Sequence, residues 1–600
     1  MKIQNYFLLF IALLLTTTSY SQKLNLKSVK DWKIVVVNDA IPSEKFAAEE
    51  FQSLFNQATG IKLEITESPN ANSKNIFIGY SPAVKSLIPN IDNSDLGQEG
   101  LKIKITKDNI AIIGGRPRGT LYGVYEFAER YLGVRFLAYD YTYVPDKKNK
   151  ILIPCEEYSY IPCFIYRNVY YKENLSHPEF SVRLRYNAFE QDLKYGGVSD
   201  MHFVNHSFYR QLPLNTYSNE HPEYFAEVKG KRLLDPAAQI CVTNPEVINI
   251  MTKAVLNEIA EHPENKNYSV VQNDSYLYCT CKNCEAINQQ EDSPMGSHLA
   301  MVNTIADEVA KQYPDKIIGT LAYQYTRKPP KTIIPRDNVM IQLCSIECNL
   351  LHPYADKDNK MNKPFGEDLA SWGKICKNLW IWDYIVDYNL YGLPFPNLRS
   401  IGQNIKWYKA NNIKGVFMEA NYSGEAGEMS DLRNYITSRC LWNPELDSWE
   451  LTKEFCNLYY KKAARPILEY LTTLHNNVET KHLTGQFNSS APAIVGDSDF
   501  ANYIFSKFEE AMKLADDETV RNRVERASLC AYVAVIEMEK GDGADSVRRA
   551  KFNSSERDLK IMKTFFELAK KHGMKYYRET ATSTDVEKNY ANELNIKVPL

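Results

Sequence analysis

The sequence predicts an α/β protein built on a (β/α)8 TIM-like barrel, with a small α/β domain before the barrel and an all-helical domain after it. Three observations support this. The 600 residues are too many for one hydrophobic core. Strand-like runs alternate with helical segments over about residues 163–421, and after about residue 430 only helical spacing remains. We predict domains at residues 22–150, 151–430 and 431–600, preceded by a signal peptide at residues 1–21.

The first residues have the pattern of a secretory signal peptide. Lys2 gives a positive start, the apolar run "FLLFIALLL" follows, and Ser19 and Ser21 are small residues suited to a cleavage site. That run is too short to cross a bilayer, and no later run approaches about 20 apolar residues, so we expect no membrane span. The sequence therefore predicts export to the periplasm, the cell surface or the medium.

The small α/β domain is predicted from short strands and amphipathic helices. The segment "SEKFAAEEFQSLFNQATG" predicts a helix with Ser43 as N-cap and Gly60 at its end. A hairpin is predicted for "LKIKITKDNIAIIGG", and a last helix for "RGTLYGVYEFAERYLG".

Eight candidate strands predict the barrel. An open doubly wound sheet is the alternative, but no G-x-G-x-x-G turn follows any of these strands. The candidates are "FIYRNVYY", "YNAFE", "HFVNHSFY", "YSVVQND", "IIGTLAYQY", "VMIQLC", "LWIWDY" and "KGVFMEA", with "AQICVTN" competing for the third place.

Composition narrows the possible partners. Lys plus Arg (71) nearly balance Asp plus Glu (74), and the sequence has no basic stripe, which argues against nucleic acid as a partner. Forty tyrosines and an aromatic content of 12% suit carbohydrate sites, but ordinary cores use the same residues. We predict no cofactor.

Residues at the C-terminal ends of barrel strands line the active site of this fold, which selects the candidate site residues. Four carboxylates there suit acid/base chemistry on a glycosidic bond. Trp382 is a candidate sugar platform, with core packing as its alternative. The candidates are Arg167, Asn187, His206, Asn273, Asp274, Tyr323, Glu347, Trp382, Asp383 and Glu419.

Histidines and cysteines raise the question of a metal. His202 and His206 lie in a strand-like segment that sets them too far apart for one ion, so His206 is predicted to be a hydrogen-bond donor to substrate. Cys279, Cys281 and Cys284 form C-x-C-x-x-C, but a zinc site needs a fourth ligand that the sequence does not single out. A redox role would need a thioredoxin-like context. We therefore predict no metal and a loop stiffened by disulfides.

Several motifs resemble known glycoside hydrolases. "GGRPRGTLYGVYEFAERYLGVRF" resembles the small domain before the barrel in family 20 hexosaminidases and family 67 α-glucuronidases. "HPEYFAEVKGKR", "VVQNDSYLYCTCKNC", "LCSIECNLLHP" and "LWNPELDSWELTKEFCNLYY" resemble glycoside hydrolase family 163. Members of that family are secreted endo-β-N-acetylglucosaminidases that cut the chitobiose core of complex N-glycans.

This resemblance implies a retaining reaction in which the 2-acetamido group of the substrate is the nucleophile, and an N-glycan or glycoprotein as the substrate. Asp274 would polarise the acetamido nitrogen, and Glu347 would be the acid/base. Tyr323 would donate to the acetamido oxygen and Arg167 would hold ring hydroxyls. Family 20 has an adjacent Asp-Glu pair where this chain has Asn273 and Asp274, so the division of labour between Asp274 and Glu347 stays open.

Three other functions remain possible from the sequence. An exo-β-hexosaminidase would use the same scaffold. An α-glucuronidase would need basic residues for a uronate, for which Arg167 and Arg327 are the candidates. A non-catalytic glycan-binding protein would keep the fold without the activity.

Overall fold

The computed structural model describes residues 22–71, 74–146, 151–189, 192–540 and 555–594. The predicted signal peptide lies outside these residues. The chain divides into two compact units, residues up to 134 together with 144–161, and residues 135–143 together with 162 onward. The predicted border between barrel and helical domain, near residue 430, falls inside the second unit.

The strands and helices are numbered in chain order. The strands are β1 (Lys23–Asn25), β2 (Lys33–Val35), β3 (Glu64–Thr66), β4 (Asn75–Ile78), β5 (Leu101–Ile105), β6 (Asn109–Gly114), β7 (Arg135–Ala138), β8 (Tyr141–Tyr143), β9 (Leu152–Pro154), β10 (Glu157–Tyr160), β11 (Tyr166–Tyr170), β12 (Glu227–Val228), β13 (Lys231–Arg232), β14 (Asn267–Ser269), β15 (Ile317–Ala322), β16 (Val339–Cys344), β17 (Asn378–Tyr384), β18 (Gly415–Glu419), β19 (Tyr576–Arg578) and β20 (Ala581–Thr582). The helices are α1 (Pro42–Thr59), α2 (Pro82–Leu87), α3 (Gly119–Phe127), α4 (Lys172–Ser176), α5 (Pro178–Arg183), α6 (Phe208–Gln211), α7 (Leu214–Tyr217), α8 (Pro245–Glu261), α9 (Lys282–Glu291), α10 (Met295–Gln312), α11 (Asn362–Ile375), α12 (Leu398–Ala410), α13 (Ser430–Trp442), α14 (Ser448–Tyr460), α15 (Ala464–Thr480), α16 (Ala491–Val495), α17 (Ser498–Leu514), α18 (Glu518–Lys540), α19 (Glu556–Lys571) and α20 (Ser583–Leu594).

The first unit contains a six-stranded mixed sheet in the order β10-β5-β6-β4-β2-β3. The predicted β5–β6 hairpin is confirmed, with antiparallel pairing from Leu101 opposite Gly114. Helix α1 ends at Gly60 as predicted, in a left-handed conformation (φ 74°). Its start differs, because Ile41 is the N-cap with Pro42 in the first turn, and the Ser43 hydroxyl donates to Pro117 O.

The second unit contains a six-stranded parallel sheet in the order β11-β18-β17-β16-β15-β14. The sheet is curled, as one hydrogen bond shows. Val204 lies in the segment beside the β14 edge, and its backbone N–H donates to the Gln342 side chain of β16 at 3.1 Å. Side chains from the inner face form one core, which includes Tyr166, Trp380 and Phe417. Six of the eight predicted barrel strands are thus confirmed, and the protein has a mixed α/β fold.

Two predicted strands, "YNAFE" and "HFVNHSFY", and the alternative "AQICVTN" are not strands in the described residues. The first two nevertheless lie beside the edges of the sheet. Asn187 Oδ1 accepts from Arg167 N of β11 at 3.0 Å, and His202 N donates to Asn267 Oδ1 of β14 at 2.7 Å. Ser199 N donates to Asn187 O at 2.7 Å and links the two segments. Side-chain amides therefore join a few isolated backbone bonds in holding these segments to the sheet, and no continuous ladder that would define a strand is formed.

The C-terminal part is helical from α13 to α20, as predicted, except for one hairpin. Strands β19 and β20 pair antiparallel, with Tyr576 opposite Thr582. The prediction of helices alone is wrong there, because these strands are too short to show periodicity in the sequence. None of the described helices combines the length and the apolar character needed to cross a bilayer.

A buried ion pair at the start of α13 is the basis of a stability prediction. Arg433 pairs with Glu428, and their side chains are 1% and 5% exposed. Glu428→Ala would leave a buried guanidinium without its partner, so we expect the free energy of unfolding to fall by about 3–5 kcal/mol. Scanning calorimetry would show a lower melting midpoint. The matched control is Asp337→Ala, whose pair with Lys377 is 80% and 75% exposed, and which should melt like the parent. Equal melting of both variants would contradict the prediction.

Candidate active site

Three carboxyl groups lie at the C-terminal ends of the parallel strands in the second unit. Asp274 follows β14, Glu347 follows β16, and Glu419 is the last residue of β18. Cys344 ends β16 between them. Burial raises the pKa of its thiol well above the usual range, and the charges of Glu347, Glu419 and Asp274 raise it further. The structure therefore brings these three predicted residues around one region.

Asp274 is held by two side chains from the segment after β15. The Tyr323 hydroxyl donates to Asp274 Oδ1 at 2.9 Å, and Gln324 Nε2 donates to the same oxygen at 3.1 Å. Burial, followed by the charge of Asp274, raises the pKa of Tyr323 well above its usual range. Tyr323 therefore stays protonated as a donor, and Asp274 presents an oriented carboxylate.

Glu419 lies in a different environment. It is half-buried, and Trp382 Nε1 donates to its Oε2 at 2.8 Å. Burial raises the pKa of Glu419 to about 7, and the charges of Glu579 and Asp274 act in the same direction, while the Trp382 hydrogen bond lowers it. Near neutral pH this carboxyl group exists in both protonation states, as acid/base catalysis requires.

Glu347 belongs to a charge-paired group. Arg327 Nη1 donates to Glu347 Oε2 at 3.1 Å, and Arg327 Nε donates to Asp368 Oδ2 at 2.8 Å. Burial raises the pKa of Asp368, although the bonded Arg327 opposes this. Burial raises the pKa of the Tyr276 hydroxyl, and the charge of Glu347 raises it further. Tyr276 therefore lies near this charged group. One guanidinium thus serves two carboxylates.

The two tryptophans of β17 have different surroundings. Trp380 packs in the core, 4.9 Å from the Tyr166 ring between centroids. Trp382 is half-buried, stands edge-on to Phe417 at 4.7 Å, and is the hydrogen-bond donor to Glu419. Of the two indoles, Trp382 is therefore the one placed beside a candidate catalytic group.

His206 and Asn273 also lie near Asp274. The His206 ring is 6.2 Å from the Tyr323 ring between centroids, and its Nδ1 contacts Gln272 O. The Asn273 side chain donates to Ala238 O at 2.8 Å, so its amide nitrogen supports the neighbouring loop. His206 is therefore exposed beside the site, whereas the Asn273 side chain is hydrogen-bonded to the protein backbone.

Three predicted substrate contacts are not brought to this region. Arg167 is 1% exposed, donates to Arg185 O at 2.9 Å and 3.0 Å, and lies 5.5 Å from the Trp442 ring, on the helix-facing side of β11. The Asn187 side chain bonds the backbone of Arg167 and Ile165. Arg167 is the second residue of β11, three positions before its C-terminal end at Tyr170, and Asn187 lies outside the described strands, so neither stands at the C-terminal edge of the sheet.

Asp383 is the third of these residues. It is buried, and the hydroxyls of Ser345, Tyr354 and Tyr408 all donate to it, at 2.6–2.7 Å. This carboxylate is therefore surrounded by protein donors, and its placement indicates a structural role rather than contact with a sugar.

Glu579, which no sequence pattern indicated as a site residue, lies next to β19 in the turn of the hairpin. Glu579 N donates to Tyr388 O at 3.0 Å, and the Tyr422 hydroxyl donates to Glu579 Oε1 at 3.3 Å. Its charge contributes to the raised pKa of Glu419. No local pattern indicates this role, because Glu579 is 160 positions from Glu419 in the chain.

Among the described residues, two groups have ligand atoms close enough to hold a metal ion. One comprises His221, Glu223 and Glu246, and the other comprises four buried cysteines, including the three of the C-x-C-x-x-C motif. Neither group contains Asp274, Glu347 or Glu419.

Two protein families match parts of the chain. Residues 136–472, more than half of it, match the family described as Domain of unknown function (DUF4838). The protein belongs to the DUF4838 family. Residues 20–127 match the family described as Glycosyl hydrolase family 67 N-terminus, which confirms the predicted resemblance of the first domain to that of family 67. No curated protein matches this DUF4838 chain.

Solved structures of glycoside hydrolases resemble this DUF4838 protein. A family GH115 4-O-methyl-α-glucuronidase with specificity for decorated arabinogalactans aligns with a TM-score of 0.55 and 11% identity, over 90% of this chain and 76% of its own. A family 89 glycoside hydrolase from Clostridium perfringens gives 0.46 and 11%, over 88% and 65%. The Streptomyces plicatus N-acetyl-β-hexosaminidase gives 0.40 and 12%, over 76% and 93%. The likeness to the first shows a shared glycoside hydrolase fold.

Proposed function

We propose that the protein is a glycoside hydrolase, and specifically an endo-β-N-acetylglucosaminidase that cuts the GlcNAc-β1,4-GlcNAc core of complex N-glycans. The observation that carries the proposal is that two carboxyl groups in unlike environments lie at the C-terminal ends of strands in one parallel sheet. Glu419 has a pKa of about 7, and Asp274 is a carboxylate oriented by Tyr323. Two carboxyl groups in different environments are what acid-assisted cleavage of a glycosidic bond needs.

In this proposal Asp274 acts on the 2-acetamido group of the sugar. Its carboxylate accepts the acetamido N–H, and the negative charge stabilises the oxazolinium ion that forms when the acetamido oxygen attacks C1. The Tyr323 hydroxyl donates its one proton to Asp274 Oδ1 at 2.9 Å without substrate, and in the complex it would turn that proton to the acetamido oxygen. Preorganised charge of this kind is usually the largest contribution to catalysis.

We assign the proton donor to Glu419. It would protonate the oxygen of the leaving sugar and, in the second step, remove a proton from the water that opens the oxazolinium ion. Glu347 is the second candidate. Its partner Arg327 also pairs with Asp368, so Glu347 lies in a network of charges, whereas Glu419 accepts a hydrogen bond from the neutral Trp382 indole.

The substrate class rests on the family 163 motifs and on the Asp274–Tyr323 pair, which suits an acetamido group. The α-glucuronidase alternative would need a cation that is open to a uronate. Arg327 is bonded to two carboxylates, and Arg167 is buried against Trp442. We further propose that the protein is exported, as its N-terminal sequence predicts.

Incubation with a glycoprotein that carries complex N-glycans tests this function, with released glycans read by mass spectrometry. We expect glycans with one GlcNAc at the reducing end, and one GlcNAc left on each asparagine. Free GlcNAc would indicate an exo-hexosaminidase. In a parallel incubation with an arabinogalactan, free glucuronic acid would indicate an α-glucuronidase. Binding of the glycan without any product would identify a glycan-binding protein. Any of these three results would overturn the proposal.

A further inference from the structure

Four buried cysteines converge beside the loop that carries Asp274. Cys279, Cys281 and Cys284 come from the loop after β14 and the start of α9, and Cys241 comes from the segment before α8. Their Sγ atoms all lie within 4.8 Å of one another, and all four residues are free cysteines. We propose that they bind one structural Zn²⁺ ion as a four-thiolate site.

The geometry fits tetrahedral coordination. Zinc–sulfur bonds of about 2.3 Å place neighbouring sulfurs of a tetrahedron about 3.8 Å apart. Cys241 Sγ and Cys281 Sγ are 3.7 Å apart. The sequence alone offered three ligands, and folding supplies the fourth from 38 positions before Cys279. Four protein ligands leave no open position, so the site is structural rather than catalytic.

The surroundings suit negatively charged sulfurs. Glu227 N donates to Cys279 Sγ at 3.3 Å, and Arg232 Nη1 approaches the same sulfur at 3.8 Å. Thr243 Oγ1 lies 3.1 Å from Cys284 Sγ. Four thiolates around a divalent ion carry a net charge of −2, which these donors partly offset. Binding needs no oxidant, because each thiol releases a proton as its sulfur binds the ion.

The site would fix the position of Asp274 through Gln239, which lies two residues before Cys241. Gln239 Oε1 accepts from Asn273 N at 2.8 Å, and Gln239 Nε2 donates to Asn273 O and Ser275 O at 2.7 Å and 2.9 Å. The backbone on both sides of Asp274 is therefore bonded to one side chain. A metal that joins the Cys241 segment to the Cys279–Cys284 segment would hold this support in place.

The test measures metal in the purified full-length protein, by elemental mass spectrometry without added zinc. We expect one zinc per chain, and Cys281→Ser should lose most of it. Cys376→Ser is the matched control, because Cys376 lies outside the cluster and is as buried as Cys281, each being 8% exposed. The control should keep the zinc. These readouts do not depend on activity, so they stand apart from any failure of the proposed hydrolase function.

Intact mass spectrometry under denaturing, thiol-trapping conditions separates zinc from disulfides. Zinc-bound cysteines would be alkylated once the metal is removed, which supports the proposal. Two disulfides within the cluster and no zinc would overturn it, as would iron in place of zinc, or equal zinc in Cys281→Ser and Cys376→Ser. If Cys281→Ser does not fold, release of zinc from the parent by a mercurial reagent, titrated with a chromogenic chelator, gives the same stoichiometry.

Discussion

Asp274→Asn is expected to lower kcat/KM on a complex N-glycan by about 10²–10³-fold, the usual loss when one preorganised electrostatic group is removed. The amide keeps the size of the side chain but carries no charge to stabilise the oxazolinium ion. The measurement is the rate of glycan release at fixed pH, with the fold checked by circular dichroism and melting.

Two further variants sharpen this result. Asp292→Asn removes an exposed carboxylate that pairs with Lys328 at 2.7 Å, and it should act like the parent. Tyr323→Phe removes the hydroxyl that orients Asp274, and it should cause a smaller loss than Asp274→Asn. If Asp274→Asn released glycans as fast as the parent, Asp274 would have no part in the reaction.

Glu419→Gln is expected to lower the rate by about 10²–10⁴-fold and to change its dependence on pH. The pKa of Glu419 is raised to about 7 by burial. The proton donor is lost as the pH rises through that value, so kcat/KM of the parent should fall on the alkaline side of about pH 7. This fall should be missing in the variant, whose amide does not titrate. The Glu419→Gln variant should lose less activity on a substrate with a 4-nitrophenol leaving group than on the N-glycan, because this leaving group needs less protonation.

The controls for Glu419 come from the same region. Glu425→Gln changes a half-buried carboxylate six positions later, which pairs with His177 at 3.7 Å, and it should keep the alkaline fall. Glu347→Gln tests the alternative acid. If Glu347→Gln abolished the fall near pH 7 and Glu419→Gln preserved it, the proton donor would be Glu347.

Much of the fold follows from local patterns. The six parallel strands contain apolar runs that periodicity identifies, and "VMIQLC" corresponds to β16 residue for residue. The sequence does not show that the segments at Asn187 and His202 fail to form strands. Side-chain amides hold these segments to their neighbours, and such contacts depend on the tertiary structure. The hairpin at β19 was missed because its strands span only three and two residues.

The sequence indicated some of the candidate site residues, as it did some of the strands. Strand-end reasoning identified Asp274, Glu347 and Glu419, because the end of a strand can be read from the residues before it. The same reasoning placed Arg167 and Asp383 in the site, whereas the structure buries both among protein partners. Asp383 is the next-to-last residue of β17, where a difference of one residue changes the face on which the side chain lies, whereas Arg167 lies near the start of β11 rather than at its end.

By itself, the sequence determined the parallel-sheet core, the helical C-terminal part and the identity of the carboxylates at the strand ends, since these depend on residues adjacent in the chain. Only the tertiary structure decided which groups meet. It brought Glu579 near Glu419, buried Glu419 enough to raise its pKa to about 7, and placed Cys241 beside the three later cysteines. These properties arise from distances and burial between distant parts of the chain, which local patterns do not encode.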